Sequence, residues 1–155
     1  MTKDEFTRRV TSSQGRLYRI ARSYLRCEAD CLDAVSETIL KGWQKQAALR
    51  DEKLFDPWLC RILTRECINI QRRQKRIIPV DVLPETTEQP ADNTSLRDAL
   101  DALPQKLRVA TVLFYMEGYG VKDVAAILCI PKGTVTSRLH DARNRLRGIL
   151  KEEIE

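Results

Sequence analysis

Between residues 132 and 147 the chain reads KGTVTSRLHDARNRLR. An ideal helix turns about 100° per residue. On that wheel Val135, Leu139, Ala142, Leu146 and Ile149 fall in one apolar stripe. Ser137, His140 and Asn144 fall near the opposite pole, with Thr136, Asp141 and Arg143 on its flanks. Hydroxyls, an imidazole and a carboxylate spread along a helix face are hydrogen-bonding groups, not an acid–base pair aimed at one atom. They suit the base edges of a DNA major groove, which admits a single helix. Thr134, Thr136, Ser137, His140 and Asp141 are the candidate positions at the start of such a helix. Lys132, Arg138, Arg143 and Arg147 are the candidate phosphate contacts. Phosphate contacts set affinity and register, and base contacts set sequence. A solvated basic face on a terminal helix has the same composition, so the preceding element decides. Residues 121–129, VKDVAAILC, form a short amphipathic stretch, and 130–133, IPKG, a tight turn. Helix, short turn and longer basic helix is the helix-turn-helix arrangement.

A second cationic set lies about seventy residues earlier. The loop carries Arg50, Lys53 and Phe55, and the following stretch carries Arg61, Arg65, Arg72, Arg73, Lys75 and Arg76. Cations interleaved with aromatics form the usual surface for single-stranded nucleic acid. Cations at the end of a helix also complement its dipole, and Phe55 and Trp58 equally suit a core. Upstream, 30–45 reads DCLDAVSETILKGWQK. With Val35 inward, Leu32, Ile39 and Trp43 are expected to face inward too. Asp33, Glu37, Leu40 and Gln44 then line the outer face. That stripe fits docking of a partner helix that carries basic residues, or holds an unremarkable exposed leucine.

Catalysis has little to work with. There is one histidine, on the proposed DNA-reading face, and no converging carboxylate pair or metal-ligand set, so no enzyme, no cofactor and no metal are expected. The five cysteines are an odd number, which argues against a disulfide framework. Cys27 and Cys31 stand at i, i+4 and could share a metal; buried reduced thiols are the plainer reading.

These sets must be positioned by elements, and the 155 residues read as helix throughout, with apolar residues recurring at three and four. The net charge is +5, a weak sign of an anionic partner, but its placement is not uniform. Residues 61–76 hold six basic residues against Glu66, 77–101 six acidic ones against Arg97, and 132–151 six basic ones against Asp141. Residues 77–93, IIPVDVLPETTEQPADN, contain three prolines and four acids without helical period, as an extended linker would. The expected architecture is therefore all-α, with two small helical domains, 1–76 and 94–155, joined by an acidic linker at 77–93. Within the first, breaks are expected near Cys27–Asp30 and Leu49–Pro57, with Asp56-Pro57 starting a helix. In the second, helices are expected over Thr94–Ala102, Pro104–Glu117, Lys122–Cys129 and Lys132–Glu152. No apolar run reaches the ~18 residues of a membrane span, and MTKDEFTRRV is no signal peptide. A cytoplasmic protein without direct membrane insertion is expected.

The motifs 33-DAVSETILKGWQK-45, 49-LRDEKLFDPWLCRI-62 and 101-DALPQKLRVATVLFYMEGYGVKDVAAILCIPKGTVTSRLHDARNRLR-147 together resemble an extracytoplasmic-function (ECF) sigma factor of bacterial RNA polymerase, in the sigma-70 family. The resemblance covers nearly the whole chain apart from the linker. It implies a sigma-2 type domain that opens the −10 element and captures a flipped base, and a sigma-4 type domain that reads the −35 element. It implies core RNA polymerase as partner: the Asp33–Trp43 helix resembles the part that docks on the β′ clamp coiled coil, and the apolar residues of Pro104–Glu117 the part that meets the β flap. Promoter DNA is implied at the Arg50–Phe55 loop, the Arg61–Arg76 helix and the last helix, and an anti-sigma factor is implied as a further partner. In the family the linker threads the polymerase cleft towards the RNA exit channel. Five positions depart from the pattern, in three places. Cys129 replaces a usual glycine in the turn, Thr136 and Asp141 stand where basic residues are common, and Arg65 and Glu66 replace a more usual asparagine and leucine. The chain has no GxxxxGK[ST] loop, so melting is expected to draw on binding energy. A free-standing helix-turn-helix regulator is the rival reading; it leaves the Leu40 stripe and the Arg50–Phe55 loop without a role.

Overall fold

The computed structural model describes the backbone of residues 1–77 and 94–154, with side chains for 1–76 and 96–151. Apart from Ile77, which ends a helix, the expected linker lies outside the described residues. The chain divides into two compact units, Met1–Thr87 and Glu88–Glu155. Every regular element among the described residues is helical.

The first unit is built on three helices, α1 (Lys3–Tyr24), α2 (Glu28–Lys45) and α3 (Phe55–Ile77), and each packs against the other two. Thr2 caps α1, its hydroxyl accepting from the Glu5 amide at 3.2 Å, with Asp4 and Glu5 in the first turn where the helix dipole favours them. The chain leaves α1 at Leu25 in extended conformation and re-enters helix at Glu28. Two short 3-10 turns, Gln46–Ala48 and Glu52–Leu54, connect α2 to α3. Helix α3 begins at Phe55, one residue before the expected Asp56 cap. Asp51 caps the 3-10 turn that leads into it, its carboxylate accepting from the Lys53 amide at 3.0 Å. The core holds Leu17 and Ile20 of α1, Cys31 and Ala34 of α2, and Phe55, Leu59 and Leu63 of α3.

Helix α2 faces its neighbours in an unexpected orientation. Its buried positions are Cys31, Ala34, Val35, Thr38 and Gly42, a stripe rotated by about 90° from the one through Leu32, Ile39 and Trp43. Leu32 is 52% and Trp43 38% exposed, and Ile39 is half-buried. The reason is close approach. Small residues let α2 lie against two helices at once: a Cβ at Gly42 would stand 2.8 Å from Leu59 Cδ1. The edge of Trp43 still packs on Phe6, ring centroids 5.3 Å apart.

The second unit comprises α4 (Thr94–Ala102), α5 (Gln105–Thr111), a π-helical turn (Val112–Met116), α6 (Val121–Leu128) and α7 (Lys132–Ile154). Helices α4, α5 and α6 all pack on α7. Val135, Leu139 and Ala142 are buried, and Leu146 and Ile149 half-buried, as the apolar stripe requires. The expected single helix over Pro104–Glu117 widens into the π turn, closed by the Glu117 amide on the Val112 carbonyl at 2.9 Å. Gly118 then turns the chain at φ +78°, in the left-handed region.

Candidate nucleic-acid interface and docking face

Helix α6 ends at Leu128 because Cys129 turns left-handed, at φ 57° and ψ 46°. Its amide and that of Ile130 both reach the Ala125 carbonyl, which closes the helix end. Pro131 then supplies a carbonyl to the Thr134 and Val135 amides at 3.0 and 3.2 Å, starting α7. The turn that a glycine usually makes is thus made by a cysteine with an exposed side chain.

On α7, Lys132, Thr136, Ser137, His140, Asp141, Arg143 and Arg147 are exposed, and Thr134 and Arg138 are half-buried. The nine predicted positions thus occupy the part of α7 outside its buried stripe, spread over about 240° of the helix, with Lys132 and Arg138 at its two borders. Several are already oriented. The Thr136 hydroxyl donates back to its own helix, to the Lys132 carbonyl at 2.9 Å. Asn144 and the His140 ring lie 3.2 Å apart. Arg143 Nη1 donates to the Tyr115 hydroxyl at 2.8 Å, tying the exposed face to the π turn. Two cations escaped the sequence reading. Lys106 and Arg145 line one groove with Thr134, Ser137, Arg138 and Asp141. Arg145 follows Asp141 by one helical step of four, so the wheel could have found it. Lys106 lies on α5, and only the packing of α5 on α7 brings it there.

In the first unit, Arg61, Arg65, Arg72, Lys75 and Arg76 are exposed on α3, within a stripe of about 100°. Arg50 and Lys53 are exposed on the preceding loop. Two predicted residues fall elsewhere. Phe55 is 2% exposed, with Phe6 and Trp58 against its ring and the Arg9 guanidinium 5.5 Å above it. It belongs to the core, so its ring is not presented to a base. Arg73 is exposed too but stands about 60° beyond the edge of that stripe, next to Arg76, and lines a groove between α2 and α3 with Asp33, Glu37 and Lys41. In that groove the Glu66 carboxylate, 7% exposed, is paired with the Lys41 ammonium. The unusual acid of α3 is therefore held by a cation from α2.

The predicted docking residues Asp33, Glu37, Leu40 and Gln44 are all exposed, Leu40 at 51%. Leu40 and Gln44 lie on the face of α2 turned away from α1 and α3, and Asp33 and Glu37 beside them also line the groove that α2 forms with α3. Leu32 and Trp43, expected inside, widen the exposed apolar surface of the same helix.

Cys27 is exposed and Cys31 fully buried, its thiol directed at the Leu25 carbonyl, so their spacing does not make a shared exposed site. Among the described residues no three His, Cys, Asp or Glu side chains gather as metal ligands. None of the described helices is long and apolar enough to cross a membrane.

Residues 9–77 match the Sigma-70 region 2 family and residues 93–146 the Sigma-70, region 4 family. The chain is 30% identical over 149 residues to the RNA polymerase sigma factor SigV of Bacillus subtilis (strain 168), covering 93% of this chain and 90% of that one. It is 34% identical over 139 residues to the ECF RNA polymerase sigma factor SigM of Mycobacterium tuberculosis (strain ATCC 25618 / H37Rv), covering 86% and 71%. Among solved structures, the sigma factor RpoE in complex with the anti-sigma factor NepR, from Bartonella quintana, superposes with a TM-score of 0.79 at 28% identity, over 95% of this chain and 97% of that one. CnrH, solved with the cytosolic domain of CnrY, shares the fold with a TM-score of 0.74 at 21% identity, over 97% and 90%.

Proposed function

This chain belongs to the extracytoplasmic-function sigma factors of the sigma-70 family, and from that premise we propose how its surfaces divide the work. It is an alternative sigma factor that directs promoter-specific transcription initiation. Its partners are core RNA polymerase and promoter DNA, and it has no catalytic residue of its own. Helix α7 enters the −35 major groove. Thr134, Thr136, Ser137, His140 and Asp141 face base edges there, Asp141 accepting from a cytosine amino group. Lys132, Arg138, Arg143 and Arg147 reach the flanking phosphates, with Lys106 and Arg145 beside them. Arg50, Lys53, Arg61, Arg65, Arg72, Lys75 and Arg76 hold the melted −10 strand. Asp33, Glu37, Leu40 and Gln44 dock on the β′ clamp coiled coil, and the π turn that follows α5, with exposed Tyr115 and Met116, meets the β flap.

The observation that carries this reading is the ordered pair of units, each with one exposed cationic helix face, in relatives that align along almost the whole chain. Unpaired DNA has lost stacking worth on the order of 1–2 kcal/mol per base-pair step, and the cationic α3 surface is what can offset it. An anti-sigma factor that covers these faces is a further expected partner, since the structural relative RpoE was solved with one. The site of action is the cytoplasm, where the polymerase is. A free-standing regulator accounts for α7 but leaves the α2 face and the first unit without work.

Run-off transcription with core polymerase on a promoter library tests the function. The expected outcome is discrete start sites that appear only with the purified chain and share two elements separated by a spacer. Transcripts identical with and without the chain would refute it.

A further inference from the structure

We infer that Arg9 is the positioning residue of the 50–54 loop: reaching across from α1, it holds Arg50 and Lys53 in place before any strand arrives. The inference rests on the reading that this loop meets the melted −10 strand.

Within itself the loop is held only locally, by short-range bonds that include the Asp51 carboxylate on the Lys53 amide at 3.0 Å. Residues 46–54 form two single 3-10 turns, with local bonds from the Leu49 amide to the Gln46 carbonyl at 3.1 Å and from the Leu54 amide to the Asp51 carbonyl at 3.0 Å. Turns this short are weak by themselves. The reinforcement comes from forty-three residues away in the chain. Arg9 Nη1 donates to the Glu52 carbonyl at 2.9 Å, and Nη2 lies 3.5 Å from the Glu52 carboxylate. Nη2 also pairs with Glu5 at 3.2 Å. The guanidinium plane stands over the Phe55 ring at 5.5 Å. One flat, five-donor group thus grips the main chain, two carboxylates and an aromatic face together, which an ammonium cannot do. One helical turn further along α1, the Ser13 hydroxyl donates to Asp56 at 3.3 Å and Arg16 pairs with the same carboxylate at 3.7 Å. Helix α1 therefore fastens both the loop and the first turn of α3.

Arg9 differs in kind from the cations it serves. Its charge is matched by Glu5 and Glu52 and its side chain is only 33% exposed, whereas Arg50 and Lys53 are exposed. Ordering a loop opposes binding. A loop already ordered in the free protein removes that cost from the binding step.

The test uses the full-length chain bound to core polymerase and a fork-junction DNA. Its single-stranded arm is the −10 strand of a promoter recovered by the run-off selection. Arg9→Ala and Arg9→Lys are compared with the wild type and with a double Arg50→Ala, Lys53→Ala variant. Both Arg9 variants are expected to bind about tenfold more weakly with an unchanged salt slope. In the free chain, amides of 50–54 should exchange hydrogen at least severalfold faster while those of α7 keep the wild-type rate. A salt slope shallower by about one would make Arg9 a phosphate contact and overturn the positioning role. Wild-type behaviour of Arg9→Lys would overturn it as well, since a point charge would then suffice. If the double variant binds weakly and the Arg9 variants bind normally, the inference fails while the reading of the loop stands. If the double variant also binds normally, that reading fails first. Should Arg9→Ala not fold, Arg9→Lys, which keeps an aliphatic stem beside Phe55, carries the same comparisons.

Discussion

At the scale of the residue, Cys129 shows how far a local rule can bend. A side chain in the left-handed region costs about 1–2 kcal/mol relative to glycine, and the Cys129 thiol has only a long contact, 3.8 Å, to the Ala126 carbonyl to set against it. Cys129→Gly is therefore expected to stabilise the second unit by about 0.5–1 kcal/mol, after the greater freedom of glycine in the unfolded chain is discounted. Thermal denaturation checks this, and a lowered midpoint would contradict it. The buried thiols make a separate prediction. Burial pushes Cys31 up to about 11 and Cys67 up to about 12, the first partly offset by Arg22 and the second raised further by Cys31. An ordinary thiol in the unfolded chain titrates near 9.0. The folded state thus keeps protons that the unfolded state gives up. Their contribution to stability is complete below about pH 9 and is lost as pH rises through 11 and 12. Denaturant titrations at pH 8 and pH 10.5 should show the loss in the first unit, and a Cys31→Ala, Cys67→Ala variant should show a smaller one. At pH 8 an alkylating reagent should modify Cys27 and Cys129 in the folded chain and spare the buried Cys31, Cys60 and Cys67.

At the scale of the element, α2 is decided by its small residues. Gly42 faces both α3 and α1, with Leu59 Cδ1 at 2.8 Å and the Phe6 ring at 3.6 Å from the place of a Cβ. Leu59 is 1% and Phe6 5% exposed, so neither can move aside freely. Gly42→Ala is expected to destabilise the first unit by about 1–3 kcal/mol despite the better helix propensity of alanine. Equilibrium unfolding measures it, and a stabilised variant would show that the helices can part without cost. The same closeness turns Leu32, Leu40 and Trp43 outward, and this gives α2 an apolar surface next to Asp33 and Glu37.

At the scale of the whole molecule, the proposed division gives the two units separate tasks, so their variants should fail separately. Glu37→Ala with Leu40→Ala should weaken binding to core polymerase at least severalfold while the fold and the salt dependence of −35 binding stay as in the wild type. Arg143→Ala should do the reverse, weakening −35 duplex binding with a slope shallower by about one. Pull-down with core polymerase and duplex titration at several salt concentrations distinguish the two; equal loss in both assays from either variant would undo the division.

What the sequence determined by itself is what depends on neighbours three and four residues apart. The apolar stripe of α7, the exposure of its polar face and the basic face of α3 all follow from helical periodicity, which any window of a dozen residues contains; the break expected near Cys27–Asp30 falls slightly earlier, between Tyr24 and Glu28. The resemblance to ECF sigma factors rested on such windows too, taken in order. Tertiary structure decided what depends on a second helix. It alone put Phe55 between Phe6 and Trp58, paired Glu66 with Lys41, brought Lys106 beside Arg138 and stretched Arg9 across to Glu52. It also turned α2 by about a quarter turn. A hydrophobic wheel points the largest apolar side chains inward, but a helix wedged between two others must meet them with its smallest residues.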